Sequence, residues 1–258
     1  NRDGSISRIT PLVQRCNIPA SDVHYIVTEW GIARLSGKNI RQRALQIIGV
    51  AHPRFRPSLL QKAKEMHLVY EDQLLPLTKA GIVVSYPDQY EWTFTTRNDL
   101  RVYFRPVKPT DEELYQQFFY KLDQRDRYLR FLSPKKIFPH EQTQKDVNID
   151  YHTTMVILGF IGTEDVKKIV ATASYYLDPT RVEKSAEIAI TIASNWQGEG
   201  LGTHLFRKMI EIAIENDIES FYGEMARENS AIISILNKLP YSVKYEYIDD
   251  IISMKIIF

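Results

Sequence analysis

Three glycines at alternate positions stand inside Trp196-Gln197-Gly198-Glu199-Gly200-Leu201-Gly202-Thr203. Glycine has no Cβ, so such a stretch can turn tightly and bring its backbone close to a ligand. An alternating apolar run, Ala186 to Ile192, precedes it and reads as a β-strand. An amphipathic run, Thr203 to Glu215, follows and reads as an α-helix. The first turn of a helix carries N–H groups without internal partners and the positive end of the dipole. A glycine turn feeding that helix is therefore a seat for a pyrophosphate. No Lys-Ser/Thr accompanies the glycines, so the loop is not that of a nucleoside triphosphatase. A dinucleotide fingerprint would sit in an early βαβ unit with an acidic residue on the next strand. Here the glycines come late, but Glu224 does lie in the next strand, Ser220 to Ala226, and dinucleotide binding stays as a lesser alternative. A plain strand-to-helix turn is the bland one.

The other reactive side chains form no constellation by themselves. Along the strand before the loop, Ile188, Ile190 and Ile192 alternate with Glu187, Ala189 and Thr191, so Glu187 reads by alternation alone as an exposed carboxylate. Cys16 is the single cysteine, which excludes an internal disulfide, fits a reducing cytoplasm and reads as a bystander. His140-Glu141 opens like a zinc motif, but no histidine follows at the required spacing, so no metal is expected.

The elements around these residues fall in two parts. The chain has 258 residues, 44% hydrophobic and 25% charged, with a net charge of +1. These values fit a soluble globular protein of one large domain or two, and give no case for a nucleic-acid or membrane partner. The longest apolar run, Met155 to Ile161, is far short of the roughly 20 residues of a membrane span. Residues 1–70 form a first unit. Val23 to Thr28 reads as a short buried strand. Ile40, Ala44, Ile47 and Ile48 mark one face of a helix ending at His52-Pro53, and a second helix starts near Pro57 with Leu59, Leu60 and Ala63 inward. Residues 71–91, with Leu74-Leu75-Pro76-Leu77 and Tyr86-Pro87-Asp88, read as a packed connector.

The second unit, residues 92–258, opens with a strand over Leu100 to Val107, Val102 and Phe104 sharing a side. Thr110-Asp111-Glu112-Glu113 has the spacing of a capping box, and Leu114, Phe118 and Leu122 continue that helix. Residues 123–150 are polar, with Arg125, Arg127, Arg130, Lys135 and Lys136. They read either as a solvated loop and helix or as a lid over a substrate. Strands over Thr153 to Ile161 and Ile169 to Leu177 join around Gly162-Thr163-Glu164-Asp165. Leu205, Met209, Ile212 and Ala213 line one face of the helix after the glycines. Phe221 to Met225 is a strand, and Asn229 caps a short helix carrying Ile232, Ile235, Leu236 and Leu239 to Pro240. A hairpin closes the chain around Asp249-Asp250.

Gln197-x-x-Gly200-x-Gly202 resembles the acyl-CoA motif of the GNAT acyltransferases, Gln/Arg-x-x-Gly-x-Gly/Ala, and the order of elements over 92–258 resembles the fold of that family. Arg105-Pro106-x-x-Pro109-x-Asp111, Tyr128-Leu129-Arg130-Phe131, Ala186-Glu187-x-Ala189 and Glu228-Asn229 resemble its bacterial protein-lysine acetyltransferase branch. So does Lys238-Leu239-Pro240-Tyr241, where the family more often has Lys-Leu-Gly-Phe. The resemblance implies an α+β fold with a central, mostly antiparallel sheet flanked by helices. It also implies transfer of an acetyl group from acetyl-CoA to an amine. Gln197, Gly198, Glu199, Gly200, Leu201, Gly202 and Thr203 would hold the pyrophosphate. Ile190 and Ile192 would offer backbone groups to the pantetheine, and Asn229 a hydrogen bond, its other reading being a helix cap alone. Glu187 would be the general base. Leu236 occupies the place where many members carry a tyrosine that protonates the thiolate, so no general acid is assigned.

Residues of the first unit resemble the C-terminal end of the acetyl-CoA hydrolase/transferase family, through Asp3-Gly4-Ser5, Val27-Thr28-Glu29-Trp30-Gly31-Ile32-Ala33, Arg41-Gln42-Arg43-Ala44 and Ala51-His52-Pro53-x-Phe55-Arg56. That family's catalytic glutamate and most of its CoA site lie in sequence absent here. The unit therefore reads as a small α/β remnant, inactive by itself, and the chain, which begins at Asn1, as a piece of a longer protein. Three further readings stay open: a small-amine acyltransferase, a non-catalytic acetyl-CoA sensor attached to a CoA-transferase, and a CoA-transferase fragment in its own right.

Overall fold

The computed structural model describes residues 6–75, 86–163, 166–181 and 183–258. The readings placed on Asp3-Gly4-Ser5, on Pro76-Leu77 and on Glu164-Asp165 lie outside them. The chain groups into two compact units. One takes in the N-terminal part to residue 85 with Lys108–Thr110, the other Tyr86–Val107 with Asp111–Phe258.

In the N-terminal unit, β1 (Tyr25–Thr28) and β2 (Gly31–Arg34) form an antiparallel hairpin, followed by α1 (Ile40–Gly49) and α2 (Arg56–Glu65). The expected buried strand is instead a half-open one, with Val27 70% exposed, because a two-stranded hairpin covers one face only. Asn39 and Gln42 close a capping box at the start of α1. Leu45, Ile48, Leu60, Ala63 and Val69 form a shared core with the half-buried Ala44 and Leu59 packed on it. Ile40, read as inward, is 68% exposed at the first helical position. The helix stops at Gly49, where the Val50 N–H turns back to the carbonyls of Gln46 and Ile48, and Pro53 opens a short 3₁₀ turn instead of ending α1.

The second unit runs β3 (Trp92–Thr95), β4 (Arg101–Pro106), α3 (Glu112–Lys121), α4 (Gln124–Phe131), α5 (His140–Val147), β5 (Thr154–Gly162), β6 (Lys167–Leu177), β7 (Ser185–Ile192), α6 (Leu201–Glu215), β8 (Ser220–Ala226), α7 (Ser230–Leu236), β9 (Ser242–Ile248) and β10 (Ile251–Ile257). Among the described residues the strands make one eight-stranded sheet in the order β3-β4-β5-β6-β7-β8-β10-β9. Every neighbouring pair is antiparallel except β7 and β8. The expected α+β fold with a mostly antiparallel central sheet is therefore present. A doubly wound parallel sheet, which dinucleotide binding would want, is not. Among the described residues no helix is long and apolar enough to cross a membrane.

Helix α6 covers one face of the sheet. Leu205, Phe206, Met209 and Ile210 are fully buried against it, and Phe206 meets Phe221 edge-on. Trp92 of β3, a strand the sequence reading missed, stacks on Phe104 of β4 and donates from Nε1 to His204 Nε2 at 2.8 Å. The Phe104 ring lies over Gly159 of β5, where a Cβ would come within 2.5 Å of it. Helices α4 and α5 occupy residues 123–150, the stretch read as a polar loop and helix or a lid, and α3 packs with them. An aromatic cluster joins them, Phe119 lying 5.3 Å from both Phe131 and Phe138.

The expected capping box at Thr110 does not form. Helix α3 starts at Glu112 after a 3₁₀ turn, Pro109–Asp111, with no side-chain cap. Asp111 is committed elsewhere. Both its oxygens accept from the Arg105 guanidinium at 2.7 Å, and both residues are buried. The guanidinium also lies 4.5 Å from the Phe160 ring centre. Two charges taken out of water in this way stand only as a pair. Asp111→Ala leaves Arg105 buried without its counter-charge and lowers the stability of this unit by about 3–5 kcal/mol, read from the midpoint of urea unfolding.

Candidate active site

Strands β7 and β8 are hydrogen-bonded side by side for three residue pairs only: Ser185 with Ser220, Ala186 with Phe221, Glu187 with Tyr222. Beyond that they part. β7 stays paired with β6 as far as Ile192, and β8 stays paired with β10 as far as Ala226, so each follows its other neighbour. Gly223 sits where they separate, and a Cβ there would meet the Ile188 carbonyl at 3.1 Å. Past the parting, a cleft of about 320 Å³ is lined by Ile190, Thr191 and Ile192 of β7, by Glu228 and Asn229 just after β8, and by residues of α4 and α7.

At the end of β7 the chain passes through a 3₁₀ turn, Ser194–Trp196, into the glycine loop. Gly198 and Gly200 take φ of +79° and +86°, conformations that cost other residues roughly 1–2 kcal/mol. Gly202 serves another purpose, since a Cβ there would come within 2.8 Å of Ile235 Cδ1 on α7. These two left-handed glycines let α6 begin at Leu201, two residues before the expected Thr203. No side chain caps it. Its first backbone bond runs from the His204 N–H to the Gly200 carbonyl. The N–H groups of Leu201, Gly202 and Thr203 thus precede the helical ladder, the arrangement that receives an anion. Burial pushes the His204 imidazole below its ordinary pKa. A neutral ring leaves the positive field here to the backbone.

The loop is anchored from α4. Asp123 caps that helix by accepting from the Asp126 N–H at 2.7 Å. This bond and the Ser194 hydroxyl hold the Asp123 carboxyl below the usual range. The buried Asp126 accepts from Ser194 Oγ at 2.7 Å and from Gln197 Nε2 at 2.9 Å. The same Gln197 nitrogen donates to the Ile192 carbonyl at 2.9 Å. The side chain of the expected pyrophosphate residue Gln197 therefore fixes the loop against two elements. The sequence reading missed Asp126 and Ser194, although Asp123-x-x-Asp126 at the start of an Arg-rich helix is a capping signal.

The structure brings Ile190, Ile192, Gln197, Gly198, Leu201, Gly202 and Asn229 to one cleft, together with Asp126 and Arg130 of α4. Asn229 is also the cap of α7, accepting from the Ile232 N–H at 3.4 Å. Glu199, Gly200 and Thr203 do not line the cleft. Glu199 accepts from Asn98 in the β3–β4 turn, and a Cβ added at Gly200 would lie 3.8 Å from the Phe94 ring. Glu187 is not in the cleft either. It is exposed, in register with Tyr176 of β6 and Tyr222 of β8, and lines a separate groove with Glu224, Lys244 and Glu246. The simple alternation read along β7 breaks at the parting of the strands. Ile190 and Ile192 are only half-buried. Thr191, read as facing outward, is 5% exposed, and its hydroxyl has no partner among the described residues. An orphaned hydroxyl beside a polar cleft fits a bound group that hydrogen-bonds there. Leu236 is buried in α7 and offers no proton. His140 pairs with Glu112, and no group of metal-ligating side chains occurs among the described residues.

The family described as the acetyltransferase (GNAT) domain matches residues 101–241, more than half of the chain. The acetyl-CoA hydrolase/transferase C-terminal domain matches residues 1–63. A 4-hydroxybutyrate coenzyme A transferase of Clostridium kluyveri is 45% identical over 65 residues, 24% of this chain, and the chain spans only 15% of that enzyme's length. An acetyltransferase of Pseudomonas aeruginosa is 27% identical over 141 residues, 55% of this chain and 75% of its own. Among solved structures, the GNAT domain of S. lividans PAT superposes with a TM-score of 0.60 at 21% identity. The match covers 67% of this chain and 99% of that one, a likeness of fold.

Asp126→Ala removes one of the two acceptors that hold Ser194 and one of the two that hold Gln197, while leaving the glycines intact. Calorimetric titration of the folded variant with acetyl-CoA is expected to give roughly tenfold weaker binding, the worth of one or two lost hydrogen bonds.

Proposed function

The chain belongs to the GNAT acetyltransferase family, and on that premise we propose that it transfers acetyl from acetyl-CoA to an amine, foremost a protein lysine, by direct attack. The observation that carries the reading is the parting of β7 from β8, with the cleft beside the end of β7 and the uncapped α6 N-terminus next to it. Pyrophosphate would sit on the backbone of Gln197 to Thr203. The pantetheine arm would run along Ile190 and Ile192, with Asn229 and the Thr191 hydroxyl as hydrogen-bond partners. Its amides would take up backbone groups that β7 and β8 leave unpaired. A strand N–H facing the thioester carbonyl would stabilise the oxyanion.

Glu187 is the proposed general base. It is the last β7 residue paired with β8 and stands about 10 Å along the strand from Ile190. It is exposed, so an amine can approach from solvent. A lysine ammonium, with an ordinary pKa of about 10.4, must lose a proton before it attacks. The carboxylate takes that proton directly or through a water. The neutral amine adds to the carbonyl carbon, the tetrahedral intermediate gives up its remaining surplus nitrogen proton to solvent, and it collapses as the C–S bond breaks and CoA leaves as the thiolate. Leu236 supplies no acid, and a thiolate is a tolerable leaving group without one.

A second reading draws on that same leucine: an acetyl-CoA sensor that binds without turnover, joined to a CoA-transferase. The N-terminal unit offers no competing chemistry in this proposal. Glu29, its tempting carboxylate, is exposed and accepts from the neighbouring Trp30 indole at 3.2 Å.

Thiol release with acetyl-CoA and a panel of lysine peptides, polyamines and small amines separates these readings. Acceptor-dependent release supports the enzyme, and tight binding without release on any acceptor supports the sensor. Glu187→Gln is expected to lower kcat by about 10²–10⁴ with the acetyl-CoA Kd unchanged; unchanged turnover would remove Glu187 from the mechanism. Thr191→Val keeps the shape and deletes the orphaned hydroxyl. It is expected to weaken acetyl-CoA binding several-fold while thermal stability stays level or rises, because a buried group without a partner is lost.

A further inference from the structure

A second cavity lies beneath α3, α4 and α5, on the face of the sheet away from α6. Its volume is about 330 Å³, room for about ten waters at liquid density. The walls are aromatic. Phe119, Phe131 and Phe138 stack or tilt against one another with centroids 5.3–5.4 Å apart. Three charged groups point into it: Arg130 from α4, Lys135 from the following loop and Asp146 from α5.

These charges do not close on one another. No hydrogen bond or ion pair joins Asp146 to either cation among the described residues. Lys135 Nζ lies 4.6 Å from the Phe131 ring centre and 5.3 Å from that of Phe138, and donates to Gln142 at 3.2 Å. Arg130 lies 4.9 Å from the Phe131 ring centre. Burial pushes the Asp146 carboxyl up to about 6 although both cations pull it down. Burial likewise lowers the Lys135 ammonium. Opposite charges in a low-dielectric cavity attract strongly, so holding them apart leaves free energy for a ligand that bridges them. The approach of Lys135 is itself built in. Leu132, a non-glycine residue at φ +49°, ends α4 and turns the chain back over the rings.

The charge pattern selects the ligand. A simple cation would be repelled by Arg130 and Lys135, and a simple dianion would face Asp146. A molecule carrying one of each charge, with an apolar body, meets all three groups and the rings. We propose that this cavity binds a free amino acid, its carboxylate on Arg130 and Lys135, its ammonium on Asp146 and its side chain against Phe119, Phe131 and Phe138. Glu187 does not line the cavity, so on the reading that Glu187 is the base the occupant is an effector and not the attacking amine. Arg130 lines both this cavity and the β7–β8 cleft, so occupancy of one changes the affinity of the other by a reciprocal factor.

The test is calorimetric titration of the full chain with L-phenylalanine and L-leucine, then with 3-phenylpropionate, which lacks the ammonium, and 2-phenylethylamine, which lacks the carboxylate. An amino acid is expected to bind, and each singly charged analogue to bind at least tenfold more weakly. In Asp146→Asn, 3-phenylpropionate is expected to match or exceed phenylalanine while acetyl-CoA binding persists. Three results overturn the proposal: no binding by either amino acid to about 10 mM, the weak end of useful affinity; analogues that bind as well as phenylalanine; or an Asp146→Asn protein that binds phenylalanine as the parent does. The first result would leave a water-filled cavity only. If Asp146→Asn does not fold, the analogue series on the parent chain decides. Acetyl-CoA titration of the parent chain without any amino acid present is a separate measurement, so failure here leaves the reading of the cleft untouched.

Discussion

Strands β7 and β8 run side by side for three residues and then obey different neighbours, and the candidate site depends on that divergence. Antiparallel ladders with β6 and β10 continue to Ile192 and Ala226, and the right-handed twist of a sheet rotates each pair relative to the next. The short parallel ladder is the weakest seam, and it opens. The Ser220 hydroxyl donates to the Ser185 hydroxyl at 2.9 Å where the pair begins. Gly223 lies where it ends. Between those points the register sets Glu187 on one face of the sheet, while the residues just beyond it line the cleft.

The glycine loop is held from three directions for three reasons. Gly198 and Gly200 are there for their left-handed backbone, and Gly202 for the close approach of α7. Asp126 then ties the loop to α4 through Ser194 and Gln197. A site made of backbone N–H groups has no side chain to adjust, so its precision comes from such supports. The neutral His204, bonded to Trp92 and stacked on Phe94, joins the start of α6 to β3 by the same logic.

Much of this was legible in the sequence, and the exceptions have physical causes. Periodicity gave the strands flanking the loop and the inward face of α6, because those segments bury one side against a single neighbour. It failed along β7, where the neighbour leaves partway. Thr191, placed on the face of Glu187, is therefore buried, and Ile190 and Ile192, placed on the face of the buried Ile188, are only half-buried. Local capping rules found Asn229 and placed at Thr110 a cap that does not form. The missing cap reflects a long-range demand: Asp111 is spent on Arg105, and no four-residue pattern reports that. Strand β3 was missed because its burial comes from Phe104 and His204, distant in sequence. The charges around the second cavity were visible as a polar stretch, but the helical geometry that turns Arg130, Lys135 and Asp146 toward one space was not.

The open seam between β7 and β8 also bears on how long the protein survives. A sheet with an interior edge leaves backbone groups whose ladder is completed only from outside the chain. A ligand that fills the seam binds the folded form and not the unfolded one, and by mass action each tenfold rise above its dissociation constant adds about 1.4 kcal/mol of stability. Globular domains have only about 5–15 kcal/mol to lose, so a few such steps change the fraction open to proteases many-fold. The abundance of the protein would then follow the supply of its own ligand, with no regulator other than the gap in the sheet.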